Sequence, residues 1–234
     1  MRGAGQVIEL VVFDMAGTTV QAADQVAPAF VEVLSAFGLP ISAEEVDRVR
    51  GASKREAIQN ILLQYSPEQA TQTVVEDLFQ KFNANLARRQ ESDGVKPVEG
   101  AAEVMFNLRE RKIKVALTTG FDRTSTDRVL AMVGWKSGVA DVVVCADDVR
   151  GGRPAPYLIY HAMELTSTIN VENVAAVGDT VLDLQAAANA RVGLNVGVLT
   201  GAHKREQLEA QPHDHIIESV RELPSLIPDP SPLR

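Results

Sequence analysis

The sequence predicts an α/β protein: a Rossmann-like, doubly wound parallel sheet with an all-helical insert near its start. Three observations lead there. Six short runs rich in Val and Ile are apolar almost continuously, as parallel strands covered on both faces must be. After residue 100 those runs alternate with segments of helical periodicity, the pattern of an open parallel sheet with crossover helices. Residues 21–94 break the alternation and carry helical patterns only.

The first strand is "VIELVVF" (7–13), which drives Asp14 out of its end into the small loop Ala16-Gly17-Thr18. In the stretch that follows, "SAEE" (42–45) and "SKRE" (53–56) match the Ser-x-x-Glu capping box. Gly38 and Gly51 stand where helices should stop. "DGVKPVEG" (93–100) is the return linker. In 101–108, Ala101, Val104, Met105 and Leu108 share one helical face. The strands "KVALTT" (114–119), "DVVVCA" (141–146), "NVAAVG" (173–178), "LNVGVL" (194–199) and "HIIE" (215–218) follow, with a helix over 156–165 that has a proline near its start. The tail "PSLIPDPSPLR" (224–234) carries four prolines and is expected to be irregular. The expected organisation is a core of 1–20 and 95–234 around a helical domain of 21–94.

Composition sets the bounds. With 45% hydrophobic and 23% charged residues the chain can bury a substantial core. A net charge of −8 and a pI near 5.1 argue against a nucleic-acid or anionic-membrane partner. The basic cluster Arg109, Arg111, Lys112 and Lys114 reads as the solvated end of a helix. Cys145 is the only cysteine, so no intrachain disulfide forms, and its apolar surroundings predict a buried small hydrophobe. No run approaches the roughly 18 apolar residues of a membrane span, and the N-terminus lacks a secretory h-region. A cytoplasmic protein is expected.

In an open α/β sheet, ligands bind outside the carboxyl ends of the strands. Asp14 ends the first strand and Thr119-Gly120 the second; Asp147 and Asp148 follow the third, with Arg153 soon after, and Asp179 and Asp183 follow the fourth. Any one of these aspartates could be a helix N-cap, as Asp122 is expected to be, and Asp148 could be a solvated loop acid. Several converging carboxylates instead make a site for a hard cation such as Mg²⁺, which takes one or two carboxylates, waters and phosphate oxygens. The guest that suits such a site is a phosphoryl group. Thr119 and the Gly120 N–H could donate to it, and Arg153 offers planar bidentate recognition. A carboxylate could then attack phosphorus and form an aspartyl-phosphate for water to hydrolyse.

The order Asp14, Thr119, Arg153, Asp179-x-x-x-Asp183 resembles the haloacid dehalogenase superfamily, with the helical insert in the position of its cap domain. The resemblance covers essentially the whole chain. It implies Asp14 as nucleophile; Asp14, the Ala16 carbonyl and Asp179 as Mg²⁺ ligands; and Asp183 holding metal-bound water. Relatives dimerise through the cap, so it also implies a homodimer.

Position 16 narrows this. Most phosphatases of the superfamily have a second aspartate two places after the nucleophile, a general acid of the kind worth about 10²–10⁴-fold; here it is Ala16. Asp-x-Ala-Gly-Thr, with arginine where lysine is usual, resembles the phosphonoacetaldehyde hydrolase (phosphonatase) family. There a cap lysine condenses with the substrate aldehyde, and the iminium accepts electrons as the carbon–phosphorus bond breaks. "GASK" (51–54) matches that family's Gly-x-x-Lys, making Lys54 the candidate. A place in the first turn of a helix, with Arg50 and Arg55 nearby, would lower its pKa.

The same basic helix start, with Arg50, Lys54 and Arg55, could instead bind a distal anion, as in sugar-phosphate mutases and phosphatases, or Lys54 could simply be solvated. Three positions depart from the phosphonatase pattern: Arg50 for methionine, Ala57 for histidine and Phe121 for tyrosine. The sequence thus leads to a Mg²⁺-dependent hydrolase of a small phosphonate, phosphonoacetaldehyde first. The rivals are a phosphatase or mutase-like enzyme of a small phosphomonoester, and a non-catalytic metabolite-binding module.

Overall fold

The computed structural model describes residues 7–228. Strands β1 (Leu10–Asp14), β4 (Lys114–Thr118), β5 (Val142–Val144), β6 (Val174–Gly178), β7 (Leu194–Val198) and β8 (His215–Ile217) form one parallel sheet in the order β5-β4-β1-β6-β7-β8. The remaining strands, β2 (Val20–Gln21) and β3 (Lys96–Pro97), pair antiparallel with each other. This is the expected doubly wound architecture, and each of the six predicted strand runs overlaps one strand of the sheet, β1 reaching one residue further, to Asp14.

Ten α-helices occur among the described residues. The insert contains α1 (Ala23–Ala36), α2 (Ala43–Asp47), α3 (Lys54–Tyr65) and α4 (Gln72–Asp93). The core has α5 (Ala101–Glu110), α6 (Arg123–Met132), α7 (Tyr157–Thr166), α8 (Val181–Ala190), α9 (Arg205–Glu209) and α10 (Leu223–Leu226). Alternation along β1 splits its side chains between two layers. Val11 and Phe13 pack with Val104, Met105 and Leu108 of α5 and Val129 of α6. Leu10 and Val12 pack on the opposite face with Leu158 and Ala162 of α7 and Ala186 and Ala187 of α8. Burial on both faces is why these strands read as unbroken apolar runs.

The helices of the insert bury a cluster of their own around Phe30, Leu34, Leu62, Phe79, Phe82 and Leu86, with the Phe30 and Phe82 rings 4.3 Å apart. One core residue, Phe121, joins that cluster and is 1% exposed. The chain leaves the core through β2 and returns through β3, with Val20 opposite Pro97 and Gln21 opposite Lys96. Sequence patterning missed this ribbon, because two residues per strand carry no periodicity.

Two expectations are corrected. Of the two capping boxes, Ser42 and Glu45 form theirs, but Ser53 makes no side-chain cap, because Glu56 turns across to the core instead. The proline-rich tail is not irregular throughout: Leu223–Leu226 is a short helix, with Leu223 and Ile227 buried against the sheet layer of α5; residues 229–234 lie outside the described residues. Part of the basic cluster is also tied down, with Arg109 pairing with Asp141 at 3.2 Å and Arg111 donating to the Ile227 carbonyl at 2.6 Å. Asp122 caps α6 by accepting the Ser125 N–H, and Cys145 is fully buried, with burial pushing its thiol up to about 11. No helix among the described residues is long and apolar enough to cross a membrane.

Candidate active site

Parallel register assembles the site. Asp14 stands opposite Thr118 of β4, and Phe13 opposite Val177 of β6, so the ends of β1, β4 and β6 lie side by side. The strand order reverses between β1 and β6, the crevice where such sheets bind ligands. Asp14 comes from the first side of that crevice, and Asp179 and Asp183 from the second. All three are buried, and one oxygen from each lies within 4.8 Å of the others.

Each carboxylate is held. The Asp179 carboxylate accepts from Thr18 Oγ1 at 2.9 Å and the Ala202 N–H at 2.7 Å. Asp183 Oδ2 accepts from the Thr180 N–H at 3.0 Å and its hydroxyl at 2.5 Å, the capping box that starts α8. Asp14 pairs with Arg153 Nη2 at 3.0 Å, and Arg153 Nε reaches Asp183 Oδ1 at 2.8 Å. One guanidinium therefore bridges both sides of the crevice. It also donates to Thr118 Oγ1 at 2.8 Å and to the Gly51 carbonyl of the insert at 3.2 Å.

The electrostatics follow from three acids buried close together. Burial, then repulsion from Asp183, raises the Asp14 pKa well above the ordinary carboxylate range, against the pull of Arg153. Burial and Asp183 raise Asp179 to about 7. Burial opposes the Arg153 charge too, but Asp183, Asp14 and Asp179 outweigh it and hold its pKa above the usual value. Even with Arg153 in place, Asp14 and Asp179 are held above the ordinary carboxylate range, so further positive charge is favoured there. The cluster's donors, three carboxylates and no nitrogen or sulfur, are those of a hard cation.

The insert completes the enclosure. Arg50, Gly51 and Lys54 line one cavity of about 30 Å³ together with Asp14, Ala16, Thr119, Gly120, Arg153 and Asp179. Every residue given a catalytic, binding or metal role from the sequence therefore borders this space except Arg55, which turns away, and Asp183, which lies beside Arg153 against a second, smaller void; Asp147 and Asp148 pair with Arg55 and Arg123 instead. Lys54 is 6% exposed; its amine donates to the Ala52 carbonyl at 3.0 Å and lies 5.2 Å from the centre of the Phe121 ring. Its pKa falls to about 8, first from burial, with Arg153 and Arg50 adding to the shift and Asp14 opposing it. The expected contribution of Arg55 is absent from those causes, because its guanidinium turns away to Glu76 at 2.8 Å and Asp147 at 2.9 Å. Arg50 pairs with Asp47 at 2.6 Å. Thr119 uses its hydroxyl to accept the Phe121 N–H at 3.1 Å.

Insert and core meet closely. The Lys54 N–H donates to the Gly120 carbonyl at 3.3 Å, and a Cβ on Gly120 would stand 2.3 Å from the Ala52 carbonyl oxygen, so only glycine fits there. Several residues at this junction were not singled out by sequence: Thr18, Thr118, Ala202, Glu56 and His203. His203 is buried and accepts the Val181 N–H on Nδ1 at 2.8 Å, which leaves Nε2–H to donate to the Asp47 carbonyl of the insert at 3.2 Å. The strand-end rule, applied to the loop after β7, would have found Ala202 and His203. Thr18 lies in the Asp-x-Ala-Gly-Thr motif and Glu56 in the Ser-x-x-Glu match, but neither pattern reveals the partner each finds, and Thr118 had no signal beyond its strand.

Comparison with known proteins agrees with this fold. The family model for haloacid dehalogenase-like hydrolases matches residues 8–191. A phosphonoacetaldehyde hydrolase from Bacillus cereus (strain AH820) is 34% identical over 211 residues, covering 83% of this chain and 77% of the relative. The crystal structure of a phosphonoacetaldehyde hydrolase-like protein from Oleispira antarctica superposes with a TM-score of 0.81 at 21% identity, over 97% of this chain and 95% of that one. A hydrolase from Pseudomonas syringae gives 0.79 at 24% identity, over 94% and 98%. At those identities the two crystal structures speak for the fold alone.

Proposed function

The chain belongs to the haloacid dehalogenase-like hydrolases, and on that premise we propose that it cleaves the carbon–phosphorus bond of a small aldehyde phosphonate, phosphonoacetaldehyde first. The observation that carries this reading is Lys54: a buried amine with a pKa near 8, bordering the same cavity as Asp14, in a site with Ala16 where a proton-donating acid would stand. The similarity to phosphonoacetaldehyde hydrolases supports it.

In this reading residues 21–94 are a cap over a core of 1–20 and 95–234. The cavity has room for only two or three waters at about 10–15 Å³ each, so substrate exchange requires the cap to swing away. Asp14, the Ala16 carbonyl and Asp179 would hold Mg²⁺, with Asp183 behind them. Bound there, the ion would neutralise charge on the phosphonate oxygens and keep Asp14 ionised.

Arg153 and the Thr119-Gly120 turn hold the phosphonate oxygens. The neutral Lys54 amine adds to the aldehyde carbon; the resulting carbinolamine takes up a proton from solvent and loses water, which leaves an iminium. An Asp14 oxygen then bonds to phosphorus as the carbon–phosphorus bond breaks. The electron pair of that bond passes into the iminium and gives an enamine. Carbon protonation and hydrolysis release acetaldehyde and restore the amine, while water hydrolyses the aspartyl-phosphate to phosphate. Because the leaving group is an enamine and not an alkoxide, no acid is needed at position 16.

One observation favours a second reading. Arg50 borders the cavity where the phosphonatase family has methionine, and Ala57, where it has histidine, is fully buried in the apolar cluster of the insert. A phosphatase or mutase-like enzyme would use Arg50 and Lys54 to bind a second anionic group. Borohydride reduction in the presence of phosphonoacetaldehyde separates the two. We expect a mass gain mapping to Lys54; no adduct, together with turnover of phosphomonoesters, would favour the second reading.

A further inference from the structure

The loop Gly151-Gly152-Arg153 carries the guanidinium that bridges Asp14 and Asp183, yet two of its contacts come from the insert. Both Glu56 oxygens lie 3.0 Å from the Gly152 N–H, in a bifurcated, charge-assisted hydrogen bond. The Gly51 carbonyl accepts from Arg153 Nη1 at 3.2 Å. Glu56 belongs to the first turn of α3, and Gly51 lies just before it. The approach is close enough that a Cβ on Gly152 would stand 2.8 Å from Glu56 Oε2 and 2.9 Å from the Ser53 nitrogen. Gly152 is itself buried, so its N–H depends on that carboxylate for a partner while the insert is docked. A Ser-x-x-Glu sequence would ordinarily spend its glutamate on the helix's own N-terminus; here that box is left unmade.

We propose that Glu56 is a positioning residue: by gripping the Gly152 N–H when the cap closes, it sets the loop that places Arg153 against Asp14 and the phosphorus oxygens. Closure and assembly of the oxyanion-binding site are then one event, since the acceptors that complete the Arg153 loop arrive only with α3. The inference rests on the reading of Arg153 as the oxyanion-binding group and of residues 21–94 as a movable cap. It does not depend on whether the substrate is a phosphonate or a phosphate ester.

The test titrates orthovanadate, a tetrahedral oxyanion without an organic part, into the full chain saturated with Mg²⁺, by calorimetry. Loss of a charge-assisted hydrogen bond predicts that Glu56→Ala weakens vanadate about 10- to 100-fold. Glu56→Gln, whose amide oxygen can still accept the Gly152 N–H, should recover most of that loss. Arg55→Ala breaks a neighbouring contact of the same helix with the core, the ion pair to Asp147, without touching the Arg153 loop. It should stay within about twofold of the parent, since an exposed ion pair adds little.

Unchanged vanadate affinity in Glu56→Ala would overturn the proposal, as would an equal loss in Arg55→Ala, which would make Glu56 merely one more interface contact. Should Glu56→Ala not fold, hydrogen exchange on the parent decides. Vanadate should slow exchange of the Gly152 amide together with the 51–56 segment, and exchange at Gly152 unaffected by vanadate would overturn it. If the parent protein itself fails to bind vanadate, the oxyanion-site reading falls first and this inference with it.

Discussion

The strand ends of the core and the 50–56 segment of the insert border one cavity but are built in different ways. Asp14, Asp179 and Asp183 issue from neighbouring elements of a hydrogen-bonded sheet, and each is fixed by partners within the core: Arg153, Thr18, Ala202 and Thr180. Arg50, Gly51 and Lys54 reach the cavity only because the insert is docked, through contacts that include those at Gly120, Phe121, Asp147, Gly152, Arg153 and His203. The difference teaches a division of labour. On the proposed function, the acids that act at phosphorus are fixed at the strand ends, whereas Lys54 and the acceptors that set the Arg153 loop arrive by closure.

The strongest attempt to break that division is Asp14→Asn. If the core alone performs the phosphorus chemistry, phosphate release falls by at least about 10⁴-fold with every substrate the parent accepts. A residual rate within tenfold of the parent would place the nucleophile elsewhere. The fold should survive, because the substitution removes a buried acid whose ionisation burial and Asp183 oppose, and Arg153 keeps its pair with Asp183.

Metal loading probes the core side without touching the insert. Mg²⁺ at about one hundred times its Kd should stabilise the protein by about 2.7 kcal/mol, raising the thermal midpoint by about 5–10 °C for a domain of this size. Asp179→Asn should lose most of that rise, and Lys54→Met should keep it. A thermal shift that needs Lys54 but not Asp179 would invert the comparison.

The smallest effect concerns the cost carried by the insert. The Lys54 amine has a pKa near 8 in the folded protein against an ordinary 10.5. Between those values the unfolded chain holds a proton that the folded chain has lost, so stability rises with pH across that window; below about 8 the full cost of burying the charge is present. Lys54→Met should therefore stabilise the protein at pH 7 by on the order of 1–3 kcal/mol, a gain that shrinks as pH climbs from 8 towards 10.5. Urea unfolding at pH 7 and pH 10 measures both. Equal or lower stability at pH 7 would mean that the hydrogen bond to Ala52 and the Phe121 face offset the burial.

The legible part of this protein is the part set by local pattern. Near-continuous apolar runs ending in Asp14, Thr119 and Asp179 specify parallel strands, because burial on both faces removes the usual polar alternation, and parallel strands bring their carboxyl ends to one edge. That reasoning delivered the sheet, its helices and the acidic cluster. Gly51-x-x-Lys54 was legible as a motif, but its surroundings were not: burial, not the helix terminus or Arg55, governs the amine.

What the sequence determines by itself is the sheet and the acids it carries to its edge, since both follow from unbroken apolar runs that alternate with segments of 3.6-residue period along the chain. Tertiary structure alone decided that Arg153 bridges Asp14 and Asp183, that His203 reaches Asp47, that Glu56 forsakes its own helix for Gly152, and that Leu223 and Ile227 draw the proline-rich tail's beginning into the core. Those pairings join residues far apart along the chain through single polar or apolar contacts, and a single contact leaves no repeat in the sequence from which to read it.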